Sequence, residues 1–153
     1  MTPIKVGKKA PDFTLEDANE MPVSLAELKG KKVLLSWHPI AWTGVCTDQM
    51  RSLERNYAKF EELGTVAFGM SVDPHACKKA WASVLAIEKL RLLCDFYPHG
   101  EVAKDYGIFI EEYGMSGRAN IIIDEEGVVK WVKVYQLGEL PDVNEVLEVL
   151  SKM

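Results

Sequence analysis

Cysteine is scarce in this chain: Cys46, Cys77 and Cys94 are its only three. An odd number at irregular spacing excludes a disulfide-framed scaffold and leaves reduced thiols, any of which can be reactive. No apolar run reaches the roughly 18 residues that span a bilayer, so no membrane partner is expected. The opening stretch MTPIKVGKKA has lysines but no apolar segment behind them, so no secretory signal is expected and the reading is cytoplasmic. Positive charge is sparse too. The net charge is −5, and the basic clusters are only Lys8–Lys9 and Lys29 to Lys32. That argues against a nucleic-acid surface and leaves a small molecule or another protein as partner. What is present is ordinary globular composition, 48% hydrophobic and 27% charged, in a length that fits one domain over residues 1–153.

The hydrophobic pattern alternates strands and helices. Pro11–Leu15 and Met21–Ser24 read as an N-terminal β-hairpin, and Ser24–Leu28 as one helical turn ended by Gly30. Lys32–Trp37 (KVLLSW) and Thr65–Val72 are nearly unbroken apolar runs, as strands buried on both faces require. Between them a helix is predicted from about Gly44 to Leu63, with Met50, Leu53, Tyr57 and Phe60 on one stripe. Asp73-Pro74 predicts a helix start, Asp as N-cap and Pro at the first position, running to about Lys89. On that helix Cys77 shares a stripe with Trp81, Val84 and Leu85, which favours a packing role. Leu90–Leu93 reads as a strand and Glu101–Tyr106 as a short helix. Ala119–Ile123 and Val128–Tyr135 read as a hairpin turning at Asp124–Gly127, and Pro141–Ser151 as a last helix. Early parallel crossovers followed by a hairpin and a helix predict an α/β, thioredoxin-like sandwich: a central mixed sheet, helices on both faces, and the N-terminal hairpin as an extension.

The chemistry concentrates in Ser36–Met50, SWHPIAWTGVCTDQM. A buried strand ends, a loop with Pro39 follows, and a helix begins near Thr43. With Thr43 as N-cap, its hydroxyl is expected to accept from the Val45 or Cys46 N–H, and Cys46 falls at the third helical position. A thiol beside unpaired helix-start amides and the positive end of the helix dipole is favoured as thiolate, the nucleophilic form. Cys46 also lies four residues before Met50 on the apolar face, so it points partly inward beneath the Pro39 loop. A half-dry pocket of that size suits a small electrophile.

Pro39-Ile40-Ala41-Trp42-Thr43-Gly44-Val45-Cys46 resembles the Pro-x-x-x-Thr-x-x-Cys signature of the peroxiredoxins. The opening Gly7-x-x-Ala10-Pro11-Asp12-Phe13-Thr14-Leu15 is similar to the family as well. Leu93-Cys94-Asp95-Phe96-Tyr97-Pro98-His99-Gly100, continuing to Gly107, resembles its E-type alkyl hydroperoxide reductase branch. The resemblance implies a family arginine at Arg118, ahead of Ala119–Asp124. Two positions depart from the pattern. Gln49 stands where an acid often orients the arginine, and His38 replaces an aromatic residue before the proline. His38 reads as a hydrogen-bonded loop histidine, with a titrating neighbour of the thiolate as the alternative.

The resemblance implies a thiol peroxidase in which Cys46, Thr43, Arg118 and Pro39 form the catalytic site. Arg118 would supply two donors and a fixed positive charge. Thr43 would accept from the peroxide and donate to sulfur, and Pro39 would wall the pocket without a competing N–H. Hydrogen peroxide and organic hydroperoxides would be the substrates. The sulfenic acid product would be reduced by an external thiol or a thioredoxin- or glutaredoxin-like protein. No cofactor or metal is expected, since His38, His75 and His99 show no ligand spacing beyond a weak His75-x-Cys77. A two-Cys cycle resolved by Cys77 and a non-catalytic thioredoxin-fold binding module are the alternatives. A disulfide oxidoreductase would need a second cysteine where Gln49 stands, and a copper chaperone one near Met50. Apolar residues in the loop Ile40-Ala41-Trp42, with Phe96-Tyr97-Pro98 and Ile108-Phe109-Ile110, point to a homodimer at the active-site side.

Overall fold

The computed structural model describes residues 1–153. Strands β1 (Thr14–Asp17) and β2 (Pro22–Ser24) form the N-terminal hairpin, and a 3₁₀ turn at Leu25–Leu28 leads into β3 (Lys32–Trp37). Helices α1 (Gly44–Arg55) and α2 (Tyr57–Glu62) precede β4 (Thr65–Ser71), and α3 (His75–Val84) precedes β5 (Arg91–Cys94). Next come α4 (Glu101–Asp105) and a small hairpin, β6 (Phe109–Ile110) with β7 (Met115–Ser116). The chain ends with β8 (Arg118–Ile123), β9 (Val129–Tyr135) and α5 (Val143–Ser151).

Seven strands make one mixed sheet in the order β2-β1-β5-β4-β3-β8-β9. The interior strand β3 pairs parallel with β4 and antiparallel with β8, so its end at Trp37 is framed on both sides. Its residues alternate between two cores. Val33, Leu35 and Trp37 face the α4 side, with Val102, Ala103 and Tyr106. Leu34 faces the side of α1, α3 and α5, with Met50, Trp81, Val146 and Leu150. Helices therefore cover both faces, as the buried character of KVLLSW required.

Several boundaries differ from the sequence expectation, each for a local reason. The first hairpin begins at Thr14, opposite Ser24, rather than at Pro11. Asp17 closes its turn by accepting from the Asn19 and Met21 amides at 2.8 and 3.0 Å. The expected single helix Gly44–Leu63 breaks at Asn56, whose side-chain amide donates to the Ser52 carbonyl at 2.7 Å and competes with the helical ladder. Its stripe survives the break: Met50, Leu53 and Phe60 are buried and Tyr57 is half-buried. Pro74, not Asp73, occupies the N-cap position of helix α3, with no side-chain capping bond, and the helix stops at Val84, short of Lys89. Asp73 is unavailable as a cap because its carboxylate takes the Ala41 N–H and the Ser71 hydroxyl. Val84 is exposed, so it leaves the stripe of Trp81 and Leu85. The β8–β9 turn holds as expected, Asp124 accepting from Glu126 and Val128 at 3.0 and 2.9 Å. Helix α5 begins at Val143, two residues after Pro141, with Asp142 accepting the Asn144 N–H. The β6–β7 hairpin was not expected.

One contact fixes α1 against the sheet. Met50, fully buried, lies over Gly69 of β4, where a side chain would collide with its sulfur. Met50→Ala should cost about 2–5 kcal/mol by cavity formation, read as a lower urea midpoint with unchanged slope.

Candidate active site

Strand β3 delivers the chain to His38, whose N–H donates to the Met70 carbonyl at 2.9 Å and so continues the β3–β4 ladder one step. Pro39 is buried, and Ile40 and Trp42 are exposed. The loop then turns sharply. Trp42 sits at φ 76°, a left-handed conformation costly for a bulky residue, and bonds on both sides hold it there. Ala41 donates to Asp73 at 2.9 Å, and the Thr43 hydroxyl donates to the Ile40 carbonyl at 3.1 Å.

Thr43 is the N-cap residue of α1, but no side chain caps that helix. The expected hydrogen bond from Val45 or Cys46 to Thr43 is absent because the hydroxyl is turned back to Ile40. Its single proton is thereby used, which leaves Thr43 an acceptor and not a donor to sulfur. Gly44 and Val45 line an open cleft of about 250 Å³ with Pro39, Ile40, Thr43, Met115, Arg118 and Leu137. Cys46 is fully buried behind that wall, in the apolar cluster with Leu34, Ala41 and Met50.

Arg118, at the start of β8, is 3% exposed. Its Nη1 lies 3.4 Å from the Cys46 sulfur and 2.8 Å from Gln49 Oε1. Nε and Nη2 donate to the Leu137 carbonyl at 3.1 and 2.7 Å. Gln49 is held in turn by its amide, which donates to the Ser36 hydroxyl at 2.8 Å and the Trp37 carbonyl at 3.2 Å. A neutral amide therefore orients the arginine without a carboxylate. Thr43, Pro39 and Arg118 line one cleft, with Cys46 buried behind it, the guanidinium 3.4 Å from its sulfur and no side chain capping the helix start. A guanidinium placed beside a thiol in this way can stabilise negative charge that develops next to the sulfur.

The model of the AhpC/TSA family matches residues 6–132. Alkyl hydroperoxide reductase E of Mycobacterium tuberculosis (strain H37Rv) is 37% identical over 140 residues, 91% of each chain. Among solved structures, the reduced 2-Cys peroxiredoxin of Plasmodium vivax superposes with a TM-score of 0.89 at 31% identity, covering 97% of this chain and 81% of that one. AhpC of Enterococcus faecalis gives the same TM-score of 0.89 at 27% identity, covering 96% and 90%. The chain belongs to the AhpC/TSA family of peroxiredoxins. Its sheet and helices form the thioredoxin-like sandwich of those structures.

Within this peroxiredoxin the two departures have physical answers. Gln49 is the arginine's acceptor. His38 is fully buried, with Lys78 Nζ 2.9 Å from its Nε2 and the Trp81 ring 5.2 Å away. Burial first, then the charges of Lys78 and Arg118, push its pKa well below the usual range. His38 is thus a neutral hydrogen-bonded residue and does not titrate near physiological pH. Lys78 was not anticipated, although it precedes Trp81 by three residues and Leu85 by seven, on the buried stripe of α3. The Leu137 carbonyl and Met115 had no sequence signal, since both come from loops or hairpins folded back over the site.

The other thiols differ in setting. Burial and Asp73 push the Cys77 pKa up, and burial pushes Cys94 up to about 11. Cys77 donates to Asp73 at 3.8 Å, and the Trp42 indole reaches the same sulfur. Gln49→Met should leave the Arg118 Nη1 with sulfur alone and strand the Ser36 hydroxyl. The expected loss is about 1–3 kcal/mol in urea unfolding, and wild-type stability would mean Arg118 finds other support.

Proposed function

We propose that this single-domain protein is a thiol-dependent peroxidase that reduces hydrogen peroxide and organic hydroperoxides through Cys46, in a one-Cys cycle completed by an external thiol or a thioredoxin- or glutaredoxin-like protein. The observation that carries the reading is the Arg118 guanidinium at 3.4 Å from the Cys46 sulfur, held by Gln49 and Leu137. The Cys46 thiolate attacks one peroxide oxygen. The O–O bond breaks, its electron pair leaves with the other oxygen, and that alkoxide or hydroxide takes up a proton. The sulfur is left as sulfenic acid. Arg118 stabilises charge as it moves from sulfur to the leaving oxygen, the Thr43 hydroxyl accepts from the peroxide O–H, and Pro39 closes the wall without a competing donor. An incoming thiol then displaces water from the sulfenic acid, forming a mixed disulfide that a second thiol reduces.

The one-Cys assignment is supported by the protonated state that burial favours for Cys77 and Cys94, because a resolving thiol attacks as thiolate. Free cysteines fit a reducing compartment, the cytoplasm. Cys46→Ser should abolish peroxide consumption while Cys94→Ser keeps most of it. Arg118→Ala should slow the peroxide step about a hundred- to a thousandfold in stopped flow. Mass spectrometry after a single equivalent of peroxide should show one added oxygen on Cys46. A rapid stoichiometric Cys46–Cys77 disulfide would replace the one-Cys cycle with a two-Cys one.

The same reading includes a homodimer. Ile40 and Trp42 are 43% and 53% exposed, and Phe96 and Tyr97 are 48% and 87% exposed. Trp42 reaches Cys77, and Phe96 and Tyr97 line a groove with Pro74 and His75, so both apolar pairs border the first turn of α3. The third expected loop contributes less, because Ile108 is fully buried and Phe109 and Ile110 are half-buried in β6. A two-fold contact would repeat this patch on both subunits. Trp42→Glu should shift the protein toward monomer in light scattering and weaken activity. An unchanged dimer, or a wild-type monomer at micromolar concentration, would remove the patch from consideration.

A further inference from the structure

Behind the Cys46 loop lies a buried polar chain that the peroxide step does not use. Lys78 is fully buried, and burial lowers its pKa only to about 8, which leaves it an ammonium at neutral pH. Its Nζ donates to His38 Nε2 at 2.9 Å and to the Ser71 hydroxyl at 2.6 Å. Ser71 passes its own proton to Asp73 Oδ2 at 2.6 Å, and the same carboxylate oxygen accepts the Ala41 N–H at 2.9 Å. The directions are forced. Lysine only donates, neutral His38 offers Nε2 as acceptor, and Ser71 must donate to Asp73 because it accepts from Lys78. His38 and Ala41 flank Pro39 and Ile40, so one cation grips the loop at both ends.

We propose that Lys78 is a positioning residue of the peroxidatic pocket: its ammonium clamps the loop over Cys46, holding His38 directly and Ala41 through Ser71 and Asp73. The proposal rests on the peroxidase reading for its effect on rate, but not for its effect on the loop. Replacing the ammonium by a neutral group weakens both grips and deprives Asp73 of the cation linked to it through Ser71. Pro39 and Thr43 then lose their fixed distance from Cys46, and misplacement of that kind slows a reaction that depends on alignment.

The clamp is also sensitive to pH. Burial lowers the Lys78 pKa to about 8 against the opposing pull of Asp73. The other titratable groups facing it are Cys46 from α1, Cys94 from β5, Cys77 from its own helix and His38 from the loop, with Arg118 facing His38 from β8. Cys77 and Cys94 are pushed upward and His38 well below, so none of these three releases a proton near 8. Cys46 attacks as the thiolate, so it is not the source of an alkaline fall. A fall on the alkaline side therefore belongs to loss of the Lys78 charge.

The test compares wild type, Lys78→Met and Ser71→Ala. Stopped-flow rates of hydrogen peroxide attack across pH should fall in wild type above about 8. Lys78→Met should be roughly ten- to a hundredfold slower at neutral pH and lack that alkaline fall. Hydrogen exchange of the residue 38–43 amides, which needs no peroxide, should be faster in both variants than in wild type. Wild-type exchange in this segment of a folded Lys78→Met, or an alkaline fall that survives the substitution, would overturn the clamp. If Lys78→Met does not fold, Ser71→Ala decides: it keeps the lysine but cuts the link to Asp73, and an unchanged loop would overturn the proposal equally. A wild type that does not consume peroxide at all would end the peroxidase reading, while the exchange result would still judge the clamp.

Discussion

A guanidinium with almost no solvent contact must find its partners inside the protein, and the site follows from how Arg118 does so. Its hydrogen-bond partners are two neutral oxygens, Gln49 Oε1 and the Leu137 carbonyl, and the Cys46 sulfur. No carboxylate is among them, so the sulfur is the one partner able to carry a compensating negative charge. A buried cation without a counter-charge is costly, so Arg118 depends on every one of these acceptors. Burying Arg118 thus brings Gln49, the Leu137 carbonyl and the Cys46 sulfur together around one guanidinium.

Each of those partners depends on a different part of the fold. Gln49 is oriented by Ser36 and the Trp37 carbonyl at the end of β3, the strand packed between β4 and β8. Leu137 comes from the segment after β9 and reaches Arg118 because β8 and β9 pair directly, with Arg118 opposite Tyr135. Met50 seats α1 on β4 and so places Cys46 one turn earlier. The site lies where three elements end together, which is why no short stretch of chain contains it.

A second buried cation stands on the other side of the loop. Lys78 and Arg118 both face His38, which answers by staying neutral. An aromatic hydrocarbon at that position would pack but could not accept the lysine's proton. The histidine makes a buried ammonium tolerable, and the Ser71–Asp73 pair supplies its negative charge one hydroxyl away. The Ser71 hydroxyl thus separates Lys78 from Asp73, and neutral His38 faces both cations.

Local order was legible in the sequence where the physics is local. KVLLSW announced a strand buried on both faces, Asp124–Gly127 a tight turn, and the Pro39–Cys46 spacing a thiol at a helix start. The same reasoning failed where a side chain had a distant competitor. Thr43 looked like a capping hydroxyl but bonds to Ile40, and Asp73 looked like a cap but serves Ala41 and Ser71. The break at Asn56 was equally hidden, since an asparagine competes with a helix only if its side chain turns inward. Sequence by itself determined the order of the sheet's seven strands and the main helices, the place of Cys46 at the head of α1, and the family pattern of Pro39, Thr43, Cys46 and Arg118. Tertiary structure alone decided that Gln49 and the Leu137 carbonyl hold the arginine, and that Lys78 is enclosed with His38. Those contacts join residues 40 to 69 positions apart, or reach back from a loop. Periodicity and capping rules describe only what neighbours along the chain do to one another, and such contacts form only once the sheet has brought its ends together.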